Sequence, residues 1–592
     1  MKKFKYILLA AFATTLLLLN GSFMFIDPWQ EKIDAGLLEK ARRGEKVECL
    51  VIMQEQADVS AARNLRTKEQ KGRFVFETLL TTARKSQRNV LQYLESQKIP
   101  HRSLYIVNAM FTKADLALLE TLARMPEVAF IQGNPPGKVE EPISEHPERN
   151  LVSERGLNGI EWGIDMINAD DVWSLGFTGQ GVVIGGQDTG FEWDHPALKT
   201  KYRGWDDTTQ TVTHDYNWHD AIHSISPLHN DSIILPENNP CGLDSPFPCD
   251  DHNHGTHTMG TMVGEDGDNL IGVAPGARWI ACRNMERGYG SPFTYLECFQ
   301  WFLAPTDLND EHPDPSKAPH VINNSWYCPE EEGCNPANFA VLRNAITNLK
   351  LAGVVVVISA GNSGSGCGSV SAPPAMFDNS FSIGATRQND TIAGFSSRGP
   401  VMVDGSMRLK PDVSAPGVGV RSSIRFGGYA SFSGTSMAGP HVAGLVALLI
   451  SAQPALSGQV ETIENIIRET AVPKTTEQDC GTVDGDLVPN NTYGHGRVDA
   501  VAAVQLALII DDVREKAGVS AQVFPNPFDG NLTIKIPSKS PMASIEIFDV
   551  TGRLLLKREI TGEAMDLSLS HLAAGVYFYR INGSTGKLIK QN

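Results

Sequence analysis

Several features that would assign other functions are missing from this chain of 592 residues. Its net charge is -17 and no Lys/Arg-rich stripe occurs, which disfavours nucleic acid as a partner because a phosphate backbone binds basic surfaces. After the N-terminus, no apolar run has the length expected of a membrane span. Cys-x-x-Cys, His-Glu-x-x-His and a contiguous Asp-rich loop are also missing, so zinc and EF-hand calcium sites lack their usual spacing.

The N-terminus predicts export. Three lysines within the first five residues precede the apolar run Tyr6–Leu19, and small or polar residues follow. Such a run is short for a membrane span and typical of a signal peptide, which we expect at residues 1–22. The alternative is an uncleaved anchor, because Phe23–Ile26 extends the apolar character.

The nine cysteines are compatible with a disulfide framework, because an exported chain reaches an oxidising compartment. Cys49 lies far from the other eight. Close spacing favours Cys241–Cys249, Cys282–Cys298 and Cys328–Cys334, which leaves Cys367–Cys480. Other connectivities stay open at this point, and a zinc site is disfavoured because the cysteines are not clustered in its usual pattern.

Length and composition predict several folded units. Residues 27–140 follow a β-α-β-α-β order, with a long helical stretch over Lys68–Gln97, and predict a small α+β domain. A loop rich in Pro, Gly and Glu, residues 134–149, is expected to be an exposed linker. From 150 to 510, apolar strands alternate with helical stretches, which predicts a parallel sheet buried on both faces. Short alternating strands at 520–592 predict a small all-β module.

The strands predicted in the middle region share an apolar composition with few polar interruptions. They are Val182–Gly186, Trp279–Arg283, His320–Asn323, Val354–Ala360 and Ser380–Ala385.

Three segments of the middle region carry side chains that suit catalysis. An apolar strand ends at Asp188, which places a carboxylate at the carboxyl edge of a parallel sheet, where α/β proteins bind ligands. His254 begins a run of small residues, and Ser436 lies at a helix start, where unpaired N–H groups favour developing negative charge. Taken singly, each residue also has a structural interpretation: a turn Asp, a buried or metal-binding His and an N-cap Ser.

The combination of these residues favours catalysis. A serine hydroxyl is a poor nucleophile unless an imidazole takes its proton and a buried carboxylate orients that imidazole. Asp188, His254 and Ser436 supply these groups in the chain order Asp, His, Ser. An α/β-hydrolase has the order Ser, Asp, His and the motif Gly-x-Ser-x-Gly, which Gly434–Gly439 does not match, so a lipase or esterase is disfavoured.

These segments resemble the subtilisin-like (subtilase) family, and within it the bacillopeptidase F-type enzymes, over about residues 150–510. The resemblance implies the subtilisin fold, with helices on both faces of a parallel sheet, and a secreted serine endopeptidase that forms an acyl-enzyme. It implies Ser436 as the nucleophile, His254 as the general base and acid, and Asp188 as the orienting carboxylate. It implies no required cofactor and allows calcium as a stabilising ion. A catalytically silent adhesin with the same fold is the alternative.

The segment Ser359–Gly364 resembles the family motif whose Asn donates its side-chain amide to the oxyanion. This implies that role for Asn362, with the backbone N–H of Ser436 as the second donor. His257 and His441 match positions of the family motifs that take no part in catalysis.

Substrate contacts are expected next to these residues. Val321–Ser325 resembles the family segment that pairs with an extended peptide, so Asn323 and Ser325 are predicted substrate-binding residues. The sequence then departs from the family pattern at Trp326–Cys328 and at the acidic run Glu330–Glu332, and no cleavage preference is predicted.

The flanking regions resemble processing and targeting domains. Residues 27–140 resemble the subtilase inhibitor propeptide, which implies a region that assists folding and blocks the cleft until it is removed; an independent binding domain is the alternative. Residues 520–592 resemble the β-sandwich sorting domain of type IX secretion, through Phe524–Phe528, Ile547–Arg553 and Leu572–Tyr577. This implies export through Sec and then the outer membrane to a secreted or cell-surface location. A carbohydrate- or surface-binding β module is the alternative there.

Overall fold

A computed structural model describes residues 29–138, 159–229, 239–330, 334–336, 338–514, 522–535, 543–549, 552–560, 562, 564–581 and 584–591. The expected signal peptide, most of the expected linker, and Glu331 and Glu332 of the acidic run lie outside these residues. The chain divides into two compact units. One contains Met1–Glu55, Lys85–Ser103 and Ala109–Gly133, and the other contains Gln56–Arg84, Leu104–Asn108 and Asn134–Asn592. The region 27–140 therefore contributes to both units.

The first unit is built on a four-stranded sheet. Val47–Met53 pairs antiparallel with Ala109–Ala114 and with Val128–Gly133, and His101–Leu104 lies beside Ala109–Ala114. Three helices accompany the sheet: Ala35–Arg42, Arg88–Ser96 and Leu116–Ala123. Apolar side chains of the helices and strands form one core, as an α+β layer arrangement requires.

The long helical stretch predicted over Lys68–Gln97 is two helices, Lys68–Ser86 and Arg88–Ser96, which corrects the sequence interpretation. The break falls at Gln87, whose side chain is fully buried. Its Nε2 donates to Ala109 O at 3.2 Å and its Oε1 accepts from Ser103 Oγ at 2.6 Å. A buried amide must be hydrogen-bonded. Hydrophobic periodicity does not show this requirement, so the sequence did not predict the break at Gln87.

The second unit is built on a seven-stranded sheet in which every pairing is parallel. Its spatial order is Val413–Pro416, Phe381–Thr386, Val355–Ser359, Val321–Asn324, Val183–Asp188, Arg278–Arg283 and Trp218–Asp220. The five predicted strands are confirmed. The two edge strands were not predicted, because each is only three or four residues long and contains Asp220 or Pro416, which are poor strand residues.

Helices cover both faces of this sheet, as predicted. Successive residues of a strand face opposite sides. A side chain at Gly185 would meet the Phe302 ring at 2.7 Å, and one at Gly186 would meet Phe191 at 2.8 Å and Met259 at 3.0 Å. Phe302 and Met259 lie on different helices, so the strand that ends at Asp188 is covered closely from both sides.

The other elements of the second unit complete these layers. The helices are Lys68–Ser86, Trp162–Met166, Ala169–Ser174, His254–Val263, Pro292–Leu303, Phe339–Leu351, Thr435–Ala452, Val460–Thr470 and Ala500–Arg514. The 3-10 turns in the described chain are Gln30–Lys32, Ser60–Asn64, Lys199–Lys201, Pro315–Lys317 and Pro454–Leu456. Two-stranded pairs join Val420–Ile424 to Gly428–Phe432, Gly137–Lys138 to Tyr289–Gly290, Trp205–Asp206 to Thr211–Val212, and Glu265–Asp266 to Asn269–Leu270.

One helix within the described ranges, Thr435–Ala452, has the length and apolar composition of a membrane span, and 94% of it is buried inside the protein. Its side chains belong to the main core of the second unit. A helix that is hydrophobic on all sides must be buried, and in this fold the main core buries it.

The C-terminal region consists of two antiparallel sheets. One contains Gln522–Phe524, Asn531–Lys535 and Ala564–Ser568, and the other contains Leu554–Ile560, Ala543–Phe548, Gly575–Ile581 and Ser584–Lys590. Apolar residues from both sheets share one core, which confirms the predicted all-β sandwich.

The three disulfides favoured by close spacing are present, Cys241–Cys249, Cys282–Cys298 and Cys328–Cys334, and so is the remaining pair, Cys367–Cys480. Cys49 is a buried free thiol in the first unit. Burial, with a smaller contribution from Glu48, raises its pKa to about 12, so it is an inert core residue.

Candidate active site

The site begins at the point where the strand order of the parallel sheet reverses. After the strand Val183–Asp188, the chain forms Arg278–Arg283 on one side of it and Val321–Asn324 on the other. Such a switch point opens a crevice at the carboxyl ends of the strands. Asp188 lies at this end and is 1% exposed.

Asp188 is bound through one carboxylate oxygen. Its Oδ1 accepts from the Thr189 backbone N–H at 2.8 Å and lies 2.7 Å from His254 Nδ1. Its Oδ2 is buried and has no hydrogen-bond partner among the described residues. The bond to Nδ1 sets the orientation of the imidazole and directs Nε2 away from the carboxylate.

Glycine allows the helix His254–Val263 to begin this close to the strand. A Cβ at Gly255 would lie 2.0 Å from the Gly190 carbonyl oxygen and 3.0 Å from Asp188 Cβ. Asp250 then caps the helix, because its Oδ2 accepts from the backbone N–H and the hydroxyl of Thr256 at 3.1 and 2.6 Å. The same carboxylate accepts from Thr189 Oγ1 at 3.0 Å, so it ties the helix start to the strand end.

His254 is fully buried, and its Nε2 has no hydrogen-bond partner within the described residues. One ring nitrogen is therefore held and the other is left to accept a proton. The neighbouring His257 differs, because its ring stacks on Phe432 and its Nε2 lies 2.9 Å from Val420 O. Burial lowers the pKa of His257 to about 3 and that of His441 to about 4, so both are neutral structural residues.

Ser436 is the second residue of the helix Thr435–Ala452. Pro440 lies four residues later and has no N–H to bond the Ser436 carbonyl, which a regular helix would provide. Ser325 replaces that donor: its Oγ donates to Ser436 O at 3.0 Å. Ser436 Oγ itself lies 3.4 Å from Ser325 O. The strand-end segment and the helix start are thus joined at the serine.

Asn362 is held at the same helix start. Its Oδ1 accepts from the Thr435 backbone N–H at 2.8 Å and from Thr435 Oγ1 at 2.9 Å. Thr435 Oγ1 also accepts from the Gly361 N–H at 3.1 Å. With Oδ1 engaged, the amide nitrogen of Asn362 is left as the donor on this side, beside the first-turn N–H of Ser436.

A pocket lies beside these groups. It is lined by Ser325, Trp326, Tyr327, Ser359, Gly361, Asn362, Thr435 and Ser436. Trp326 is 2% exposed and stacks on Tyr295 with a ring-centroid distance of 3.9 Å, so it forms a rigid wall. Ser325 reaches the pocket directly. Asn323 lies behind it, 1% exposed, and its Nδ2 donates to Ser325 Oγ at 2.8 Å.

Among the described residues, no cluster of acidic side chains marks a calcium site. Throughout the described ranges, no group of three or more His, Cys, Asp or Glu side chains forms an arrangement that could hold a metal ion. Calcium as a stabilising ion stays a prediction from the resemblance.

The structure brings Asp188 and His254 into a hydrogen bond and places Asn362 and Ser436 on one pocket. Sequence reasoning missed Thr435, which orients Asn362, and Asp250, which caps the His254 helix. Thr435 directly precedes Ser436 and Asp250 lies four residues before His254, but only the folded chain shows their partners.

The fold and these residues define a class of protein. Residues 179–496 match the model of the subtilase family, peptidase family S8, and the chain belongs to this family of serine peptidases. Residues 522–591 match the secretion system C-terminal sorting domain, which indicates export to the cell surface or beyond by type IX secretion.

Individual relatives agree with this assignment. Bacillopeptidase F of Bacillus subtilis (strain 168) is 36% identical over 504 residues, 80% of this chain and 32% of that protein. The chain thus spans about a third of the length of this relative. Subtilisin Savinase of Lederbergia lenta is 29% identical over 348 residues, 58% of this chain and 99% of that protein. Alkaline elastase YaB of Bacillus sp. (strain YaB) is 28% identical over 351 residues, 59% of this chain and 71% of that protein.

Proposed function

We propose that the chain is an exported serine endopeptidase that hydrolyses peptide bonds in proteins through an acyl-enzyme. The observation that carries this proposal is the His254 imidazole, bound at Nδ1 by the buried Asp188 at 2.7 Å and unpartnered at Nε2 within the described residues. A buried imidazole held at one nitrogen by a carboxylate suits a general base better than a structural histidine.

In the proposed reaction, Ser436 Oγ attacks the substrate carbonyl while His254 Nε2 takes the hydroxyl proton. Asp188 keeps the imidazole in the required tautomer and stabilises the imidazolium. The Asn362 amide and the Ser436 backbone N–H donate to the oxyanion. His254 then returns the proton to the leaving amine, and a water molecule hydrolyses the acyl-enzyme by the same steps.

The substrate is proposed to bind in extended form beside the pocket. Ser325 contacts the substrate directly, and Asn323 contributes by holding Ser325. The pairing of Gly137–Lys138 with Tyr289–Gly290 supports this mode, because it shows that Tyr289–Gly290 accepts an extended segment as an antiparallel strand. We take Tyr289–Gly290 as the proposed substrate edge. Tyr289–Gly290 leads to Tyr295, whose ring stacks on the pocket wall Trp326.

The same pairing supports an inhibitory propeptide as partner. Within the second unit, the buried side chains of Lys68 and Lys71 donate to Ala318 O at 2.7 Å and to Gly458 O at 2.6 Å. These contacts anchor the helix Lys68–Ser86. The later segment Gly137–Lys138 pairs with Tyr289–Gly290, the proposed substrate edge. We propose that this N-terminal region blocks the cleft until it is cleaved, and that Sec export precedes passage across the outer membrane.

The test compares the parent chain with Ser436→Ala. We expect the parent to cleave casein, to lose its propeptide and to react covalently with a fluorophosphonate probe. The variant should do none of these, because the nucleophilic oxygen is missing. Undiminished casein cleavage by Ser436→Ala would refute the assignment, and a parent that does not react with the probe would indicate a silent fold. Thermal unfolding of both proteins checks that the variant is folded.

A further inference from the structure

A buried ion cluster lies beside the proposed catalytic residues. Arg283 is the last residue of its strand, pairs in register with Asp188 and is fully buried. Its guanidinium donates to both oxygens of Asp220 at 2.9 and 3.0 Å, to Asp251 Oδ2 at 3.3 Å and to Gly242 O at 2.6 Å. One cation thus holds two carboxylates at the carboxyl edge of the sheet.

Asp251 connects this cluster to the segment that leads to His254. Its Oδ2 faces Arg283, and its Oδ1 accepts from the Arg287 backbone N–H at 2.8 Å. The preceding Asp250 bonds in another direction, to Thr189 next to Asp188. The short segment before His254 is therefore fastened at two successive residues to the ends of two neighbouring strands.

This segment needs such fastening. Asn253, directly before His254, has a φ of 101°, a left-handed conformation that is unfavourable for a residue with a side chain. Strained backbone of this kind persists only when its surroundings over-determine it. Asn253 determines where the His254 backbone begins the helix, so a change at Asn253 moves the imidazole.

We propose that the Arg283–Asp251 ion pair is a positioning pair for His254. By fastening Asp251 to the strand beside Asp188, it holds the general base at a fixed place relative to the carboxylate that orients it. The inference rests on the proposed peptidase function. Neither Arg283 nor Asp251 is proposed to contact the substrate or to take part in the chemical step. A buried ion pair is by itself weak evidence for stability, because well-packed apolar residues often replace such pairs without loss. A positioning role gives this pair a different and measurable consequence.

Asp220 supplies a matched control. It shares the same guanidinium, is similarly buried and also accepts backbone N–H groups, from Ser245 at 2.6 Å and Ile222 at 3.1 Å. It lies on the edge strand and not in the segment that leads to His254. Asp220→Asn and Asp251→Asn therefore each replace one carboxylate that binds the same guanidinium, at different places in the fold.

The experiment measures kcat, KM and the melting temperature of the processed enzyme and both variants, with one peptide substrate. We expect Asp251→Asn to lower kcat about 10- to 100-fold, the range for misplaced catalytic groups, with KM within about twofold. Asp220→Asn should keep kcat within about threefold of the parent value, even if its melting temperature falls as far as that of Asp251→Asn. Equal losses of kcat, or an unchanged kcat in Asp251→Asn, would overturn the proposal.

A second variant covers the case in which Asp251→Asn does not fold. Arg283→Lys retains the positive charge but loses the fork that reaches both carboxylates. A lowered kcat at unchanged KM supports positioning, and an unchanged kcat overturns it. The failure of the proposed function is distinguishable, because the parent enzyme would then neither cleave the peptide nor react with a fluorophosphonate.

Discussion

The hydroxyl of Thr435 offers a sharp test of how the proposed oxyanion donor is held. Thr435 Oγ1 donates to Asn362 Oδ1 at 2.9 Å and accepts from the Gly361 N–H at 3.1 Å. The substitution Thr435→Val removes this hydroxyl with little change of shape. The backbone N–H of Thr435 still donates to Asn362 Oδ1 at 2.8 Å, so the amide loses one of its two fastenings.

The size of the effect follows from the value of one hydrogen bond. A neutral hydrogen bond contributes about 1 to 1.5 kcal/mol, which corresponds to about a 5- to 13-fold reduction if it acts on the transition state. We expect kcat to fall by this factor and KM to stay within about twofold, because the oxyanion forms only in the reaction. Removal of the whole amide by Asn362→Ala should lower kcat about 100- to 1,000-fold, the usual range for loss of one oxyanion donor.

Steady-state kinetics on a chromogenic peptide would measure both variants and the double variant. If Thr435 acts only through Asn362, the double variant should be no slower than Asn362→Ala alone. Multiplied losses in the double variant, or a raised KM with unchanged kcat in Thr435→Val, would refute this reasoning.

Two further predictions concern stability, measured in the Ser436→Ala background to prevent self-digestion. Replacing both Cys367 and Cys480 by Ala opens a loop with a sequence separation of 113 and should lower the free energy of unfolding by about 5 kcal/mol. Replacing Cys328 and Cys334, which are separated by 6, should lower it by only about 2 kcal/mol. Equal losses measured by urea unfolding would contradict the loop-entropy explanation. Burial lowers the pKa of His219, but hydrogen bonds to Asp310 and Glu297 outweigh it and raise the pKa to about 10. Because this folded pKa exceeds the unfolded value of about 6.5, the stabilisation is complete below about pH 6.5 and is lost as pH rises through 10, by up to about 1.4 kcal/mol per pH unit. His219→Gln should flatten the fall of melting temperature between pH 7 and 10, and an unchanged slope would disprove the assignment.

Local patterns were sufficient for the fold class, and they favoured the disulfide pairs without excluding other connectivities. The five central strands are short apolar runs, and a run buried on both faces has the same composition wherever it lies in the sheet. Close spacing paired six cysteines and left Cys367 with Cys480, a pairing that the structure contains. Asp188, His254 and Ser436 stood out because nucleophilic catalysis needs these residue types together, and the family resemblance added Asn362.

The supporting contacts required the tertiary structure. Thr435 binds Asn362 across 73 positions, and Ser325 Oγ reaches the carbonyl that Pro440 leaves free across 111 positions. Hydrophobic periodicity cannot predict such partners, because a Ser or Thr is the same letter in the sequence whether its hydroxyl faces solvent or another chain segment.

The buried charge of Arg283 shows the same limit. From the sequence alone, an Arg at the end of an apolar strand is expected at the surface. It is fully buried here because ion pairs with Asp220 and Asp251 offset the free-energy cost of removing its charge from water. The sequence by itself determined the family, the sheet and the candidate catalytic residues. The tertiary structure decided what holds those residues in place, because positioning depends on distances between strand ends that are far apart along the chain.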